Sequence, residues 1–133
     1  MCEKGETYLI PSGPDLHLFV VATEEDAAGM HILINVTSID PHIPYDGTCE
    51  LKAGDHPFIK KPSYVAYGFA IERHKNFVDR QVKLRIYKPQ ENASDDLVSK
   101  VCEGIKKSKF TSRGIKDGYD RSLRAVAKRE REK

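Results

Sequence analysis

As far as Tyr87 the chain is cut by glycine, proline and aspartate into apolar runs too short for core helices and the right length for strands. The first is Gly5 to Ile10, and Pro11–Ser12–Gly13–Pro14–Asp15 after it reads as a loop. His17 to Thr23, HLFVVAT, is continuously β-branched and aromatic, the composition of a central strand buried on both faces. Met30 to Ile39 is apolar through Ile32, Leu33 and Ile34 and turns polar at Thr37 and Ser38. An irregular loop with two prolines and an Asp46–Gly47 turn leads to a short run, Thr48 to Leu51. Gly54–Asp55–His56–Pro57 is again turn chemistry, and Val65, Tyr67, Phe69 and Ile71 then alternate as core positions of a strand. The segment ERHKNF reads as a short helix or a turn. Val78 to Tyr87 sets Val82, Leu84 and Ile86 against Lys83 and Arg85, which predicts a strand with one solvated face.

Helical signals come late. Ser94 is an N-cap with Asp95 and Asp96 in the first turn, and Leu97, Val98, Val101, Cys102 and Ile105 recur at helical spacing, which predicts a helix near 95–107. Gly114 and Gly118 interrupt the pattern. Tyr119 to Lys133 is helix-favouring, highly charged and carries a thin apolar stripe of Leu123, Val126 and Ala127, so it is either an arm helix or a frayed end. Strands first and helices last predict a mainly β, α+β fold: a small β-barrel of about six strands with one or two C-terminal helices, not a parallel βαβ sheet. The expected division is a barrel over 1–92 and a helical, basic extension over 93–133.

A chain of 133 residues supports one hydrophobic core. No run approaches the roughly 18 apolar residues of a membrane span, and MCEKGETY lacks the basic and apolar regions of a signal peptide, so a cytoplasmic protein without a membrane partner is expected. Cys2, Cys49 and Cys102 are far apart, with no CxxC and no Cys/His pair at zinc spacing, and read as free thiols. The net charge of +2 conceals an asymmetry: residues 1–105 hold 11 Lys/Arg against 16 Asp/Glu, and residues 106–133 hold 11 against 4. A Gly-rich phosphate loop, HExxH and GxSxG are all absent, which removes support for P-loop NTPase, zincin and serine-hydrolase chemistry. No metal site and no cofactor is expected.

Polar residues gather at strand ends: His17, Thr37, Ser38, His56, Lys60, Lys61, Ser63 and Tyr64. Cleaving an RNA phosphodiester without a metal needs a base for the 2′-OH, an acid for the leaving 5′-oxygen, and donors or cations for the charged phosphorane. Histidine supplies the first two, and lysine and hydroxyl side chains the third. Each residue also has a structural reading. His17 suits a packed strand and His56 a turn; Thr37 and Ser38 suit strand-end caps; Lys60 and Lys61 suit a solvated turn guarding a strand edge. By strand parity Tyr64 and Tyr67 fall on opposite faces and cannot form one stacking platform without a bulge. The C-terminal cations, among them Arg121, Arg124 and Lys128, suit either a phosphate-backbone footprint or a solvated helix.

In motif order the chain resembles the plasmid-maintenance toxins of the PemK/Kid/MazF type over roughly residues 4–90. Gly5–Glu6 before a strand is similar to that family's opening Gly-Asp, HLFVVAT to its second strand, Val36–Thr37–Ser38 to its Thr-Ser motif, and Ser63–Tyr64–Val65 to its Ser-x-Val stretch. The resemblance implies an SH3-like barrel, RNA cleavage, an antitoxin that holds the toxin inactive, and carries Thr37 over to the scissile phosphate. Where the family tends to have its catalytic arginine this chain has His17, which can move protons but lacks a permanently charged fork. The DHPFIKK loop and the basic C-terminal helices lie outside the match.

The expectation is therefore a toxin-like endoribonuclease acting on single-stranded RNA as a homodimer. His17 and His56 are its acid and base, Thr37 and Ser38 hold phosphate oxygens, and Lys60 offsets transition-state charge. Lys61, Ser63, Tyr64, Arg121, Arg124 and Lys128 contact the RNA. The alternative is a non-catalytic SH3-like module that binds nucleic acid or protein, and the third reading an accessory, antitoxin-like subunit.

Overall fold

The structure is a computed structural model, described over residues 2–133. Six antiparallel strands form one curled, half-barrel sheet: β1 (Thr7–Ser12), β2 (Asp15–Val21), β3 (Met30–Ser38), β4 (Glu50–Leu51), β5 (Ser63–His74) and β6 (Lys88–Gln90), in the order β4-β5-β3-β2-β1-β6. Three helices join them: α1 (Lys75–Lys83), α2 (Asp95–Lys107) and α3 (Arg113–Arg131). The mainly β, α+β architecture expected from the sequence is what forms.

The central strands are apolar on both sides because both faces of the sheet are covered. Side chains alternate along each strand. Leu18, Val20, Ile32, Ile34, Val36, Val65 and Tyr67 therefore point to one face, where they pack with Leu97, Val101 and Ile105 of α2 and Ile115 of α3. Tyr8, Ile10, Phe19, Val21 and Leu33 point to the other, under Val78 of α1 and Tyr87. The helical segment thus shares its core with the strands.

Two expectations about elements are corrected. Pro11 and Ser12 are not loop: β1 runs through them, Ser12 pairs with Asp15, and Gly13 at φ +64° makes the two-residue turn. The segment predicted as a strand over Val78–Tyr87 is mostly α1. The His74 side chain accepts the Asn76 amide as its N-cap, and Val78 and Val82, four residues apart, face the core together. Burying Val78 contributes about 1.5–3 kcal/mol. Leu84 and Ile86, which completed the alternation, are left 60% and 44% exposed around Arg85 at φ +60°. Only Lys88–Gln90 adds a strand.

Helix α2 has the predicted bounds, with Ser94 Oγ accepting the Leu97 amide at 3.1 Å. Helix α3 runs straight through both glycines, and at Gly118 a Cβ would displace the flexible end of the Glu72 side chain and crowd Ile32. Ile115, Gly118 and Ser122 are its buried side, whereas Leu123 of the predicted stripe is half exposed.

Candidate functional site

The two histidines expected to act together lie on opposite faces of the sheet. His17 pairs with Ile10 and shares its face with Tyr8 and Phe19. His56 belongs to the loop between β4 and β5, which folds onto the other face through Ile59. It is 2% exposed. Its Nδ1 accepts the Phe58 amide at 3.0 Å, so the proton sits on Nε2, which donates to the Glu91 carbonyl at 2.6 Å; Thr7 Oγ1 donates to the same carbonyl at 2.7 Å. Both ring nitrogens are committed to main-chain partners. His56 ties a loop to the sheet and reaches no phosphate that His17 could reach.

His17 stands in a row that crosses the sheet. Leu18 pairs with Val36, so continuing the register sets His17 opposite Thr37; Thr37 pairs with Tyr64, and Tyr64 with Glu50. All four project to the same face. Thr37 Oγ1 donates to Asn35 Oδ1 at 2.8 Å, and His17 Nδ1 is buried with no hydrogen-bond partner among the described residues. Ser38, one residue on, points to the reverse face, and Ser63 is buried there, donating to the Lys61 carbonyl at 2.9 Å. Lys60 and Lys61 are exposed on the loop that precedes β5. The structure therefore brings together His17, Thr37 and Tyr64, and separates them from His56, Ser38 and Ser63.

Beside Tyr64 the sheet face stays open. Tyr45 and Tyr64 have ring centroids 5.2 Å apart at 37°, and the Tyr45 hydroxyl donates to Glu50 Oε1 at 3.1 Å, which pushes its pKa above the ordinary phenol value. Phe69, read from the sequence as core, is instead 68% exposed. Strand β5 shifts register between its pairing with Leu33 and with Asn35, and this irregularity carries Phe69 outward. Phe110, 53% exposed, closes the group, with its Cβ side against Gly68 and Lys109 Nζ 5.5 Å from its ring centre. The four aromatics line a cleft of about 320 Å³. Tyr67 is 1% exposed, and its hydroxyl donates to the Val101 carbonyl at 2.6 Å, so the two-face reading of Tyr64 and Tyr67 holds.

Asp46 fixes the cleft wall. Its carboxylate accepts from Ser108 Oγ at 2.6 Å, Thr48 Oγ1 at 2.6 Å and the Thr48 amide at 3.0 Å. Burial works to raise its pKa, but these bonds and the Lys109 charge outweigh burial and hold it below the usual aspartate value. Sequence reasoning missed Tyr45 and Phe110, placed Phe69 in the core, and counted Lys109 only among the C-terminal cations. The exposed aromatics of the loops 40–47 and 108–112 were the available signal.

The basic residues of α3 lie elsewhere. The helix packs on the face opposite to Tyr64, and Arg121 is held by Glu72 at 3.0 Å and Asp26 at 3.6 Å. Arg124 and Lys128 border a shallow cavity of about 370 Å³ with Met30 and Ala125. Among the described residues no His/Cys/Asp/Glu group has the spacing to hold a metal ion, and no helix is long and apolar enough to cross a membrane. Comparison with protein-family models, curated proteins and solved structures returned no match.

Proposed function

We propose that the protein is a single-stranded RNA-binding module whose bases stack in the cleft of Tyr45, Tyr64, Phe69 and Phe110. The observation that carries this reading is the packed tyrosine pair, with ring centroids 5.2 Å apart, opening onto two largely exposed phenylalanines. Water-exposed aromatic rings held in fixed positions are what an unstacked base requires, and each stacked base is worth about 1–3 kcal/mol. Lys109 beside Phe110, with Lys60 and Lys61 on the loop entering β5, supplies cations for the phosphates. In binding to a labelled single-stranded oligoribonucleotide, the double variant Tyr64→Ala/Phe69→Ala loses about 10- to 100-fold in affinity while Tyr64→Phe binds normally. Unchanged binding by the double variant would refute the reading.

A second reading is favoured by His17 alone, whose unpartnered Nδ1 stands in the same row as Thr37. It is the metal-independent endoribonuclease of the toxin type, with an antitoxin partner and a dimeric form. His17 takes the 2′-OH proton, Thr37 holds a phosphate oxygen, and solvent protonates the leaving 5′-oxygen as its bond to phosphorus breaks; His56, committed to Glu91, is no part of it. Total RNA incubated with protein in EDTA then yields fragments ending in 2′,3′-cyclic phosphate, and His17→Ala abolishes them. Intact RNA leaves binding without cleavage.

A further inference from the structure

Beside its four aromatic rings, the cleft is lined by Pro44, Asp46, Ala66 and Gly68. Asp46 is the one charged residue in that lining. Stacking tolerates any base, because every base has a π-face. A choice between bases has to come from polar groups that meet their edges.

The side chains of the wall offer those edges acceptors. Tyr45 has committed its hydroxyl proton to Glu50 Oε1, at 3.1 Å. The Tyr64 hydroxyl donates or accepts equally well and favours no edge. Asp46, half-buried and ionised at neutral pH, only accepts. Its Oδ1 takes the Thr48 amide at 3.0 Å and the Thr48 hydroxyl at 2.6 Å, and its Oδ2 takes the Ser108 hydroxyl at 2.6 Å. A carboxylate has about four lone-pair sites. The second one on Oδ2 has no donor among the described residues, and no Lys or Arg lies within ion-pair distance of Asp46 there. Because Thr48 and Ser108 hold the carboxylate from two segments, its direction is set before any base arrives.

We infer that the cleft selects a base carrying an exocyclic amino group (cytosine, adenine or guanine) over uracil, with Asp46 accepting from that amino group. Each of those groups is a donor that fills the empty position on Oδ2. Uracil has a single N3–H between two carbonyl oxygens, and an oxygen facing the carboxylate is repelled. The selection rests on the stacking of bases in the cleft and adds which bases stack there. It also gives a role to a carboxylate whose charge opposes the binding of phosphates.

Fluorescence anisotropy with labelled pentaribonucleotides, uridines around a central test base, measures the choice. Cytidine against uridine is the decisive pair, since the two rings are equal in size; a central cytidine should bind about tenfold tighter. Guanosine should likewise exceed inosine, which lacks only the N2 amino group. Asp46→Asn keeps an oxygen for the Thr48 bonds and turns an amide NH2 towards Ser108 and the cleft, so it should reverse the order in favour of uridine. Circular dichroism establishes that the variant is folded at the temperature used, and the wild-type comparison stands without it. Equal affinity for cytidine and uridine in wild type would overturn the selection, and an unchanged preference in folded Asp46→Asn would remove Asp46 from it. Tyr64→Ala/Phe69→Ala should weaken every oligonucleotide alike, so loss of stacking and loss of selection are read separately. Absence of binding by all of them would refute the stacking, and the selection with it.

Discussion

His56 and Glu91 join the two edges of the open sheet. The histidine lies in the loop that leaves edge strand β4, Glu91 follows edge strand β6, and the imidazole donates to the Glu91 carbonyl at 2.6 Å. A sheet whose edge strands never pair is thereby bridged by a loop, with Thr7 of β1 contributing a second bond to the same carbonyl.

Breaking that bridge should cost stability without disturbing the aromatic cleft on the other face of the sheet. His56→Ala leaves the Phe58 amide without its acceptor and the Glu91 carbonyl one donor short, a loss of about 1–3 kcal/mol. Urea denaturation measures it, and an unchanged midpoint would remove the bridge from the account of the fold.

Gly104 is the second pressure point. In the middle of a helix, alanine normally stabilises by up to about 1 kcal/mol over glycine. Here a Cβ would run into the Tyr67 ring and hydroxyl, which are buried and anchored to Val101. Gly104→Ala should therefore destabilise, by about 1–3 kcal/mol, and Tyr67→Phe by about 1 kcal/mol. A Gly104→Ala variant more stable than wild type would mean that α2 does not sit against Tyr67.

Asp46 makes stability depend on pH. Its pKa is depressed on folding, so its contribution is present above the unfolded value and is lost as pH falls through the folded one. The window lies below about pH 4, the ordinary aspartate value. Asp46→Asn should be less stable than wild type at neutral pH, and the gap should narrow on acidification to about pH 3. A gap that stays constant with pH would show that the carboxylate charge is not what Ser108 and Thr48 recognise.

The thiols should be silent in the native state. Burial, reinforced by Glu6, pushes Cys2 up to about 12; burial also raises Cys49 and Cys102, and Cys102 Sγ donates to the Ala22 carbonyl at 3.0 Å. Alkylation near pH 8 should follow the unfolding transition in urea, measured by mass spectrometry. Fast labelling of folded protein would contradict the packing around them.

Much of this fold was legible in the chain. HLFVVAT had to be covered on both faces, and it is, by α1 on one side and α2 with α3 on the other. Ser94 and the apolar spacing after it gave α2 its bounds. The site was legible only in part: Tyr64 and Thr37 were placed in one row by parity and register, which sequence can suggest, but their neighbour Tyr45 comes from a loop whose path no periodicity describes.

The sequence by itself determined what local rules control: which runs are strands, where helices are capped, and which side chains alternate. Tertiary structure decided the rest. Val78 and Val82 became helical because that spacing buries Val78 and half-buries Val82 in the cluster that holds Leu33 and Tyr8, a long-range gain that outweighed an equally good alternation with Leu84 and Ile86. Phe69 left the core because β5 slips register beside β3. His17 and His56, equal candidates as residues, were separated by the thickness of a sheet, because strand parity sent His17 to one face and a loop, set by contacts with Thr7 and Glu91, carried His56 to the other.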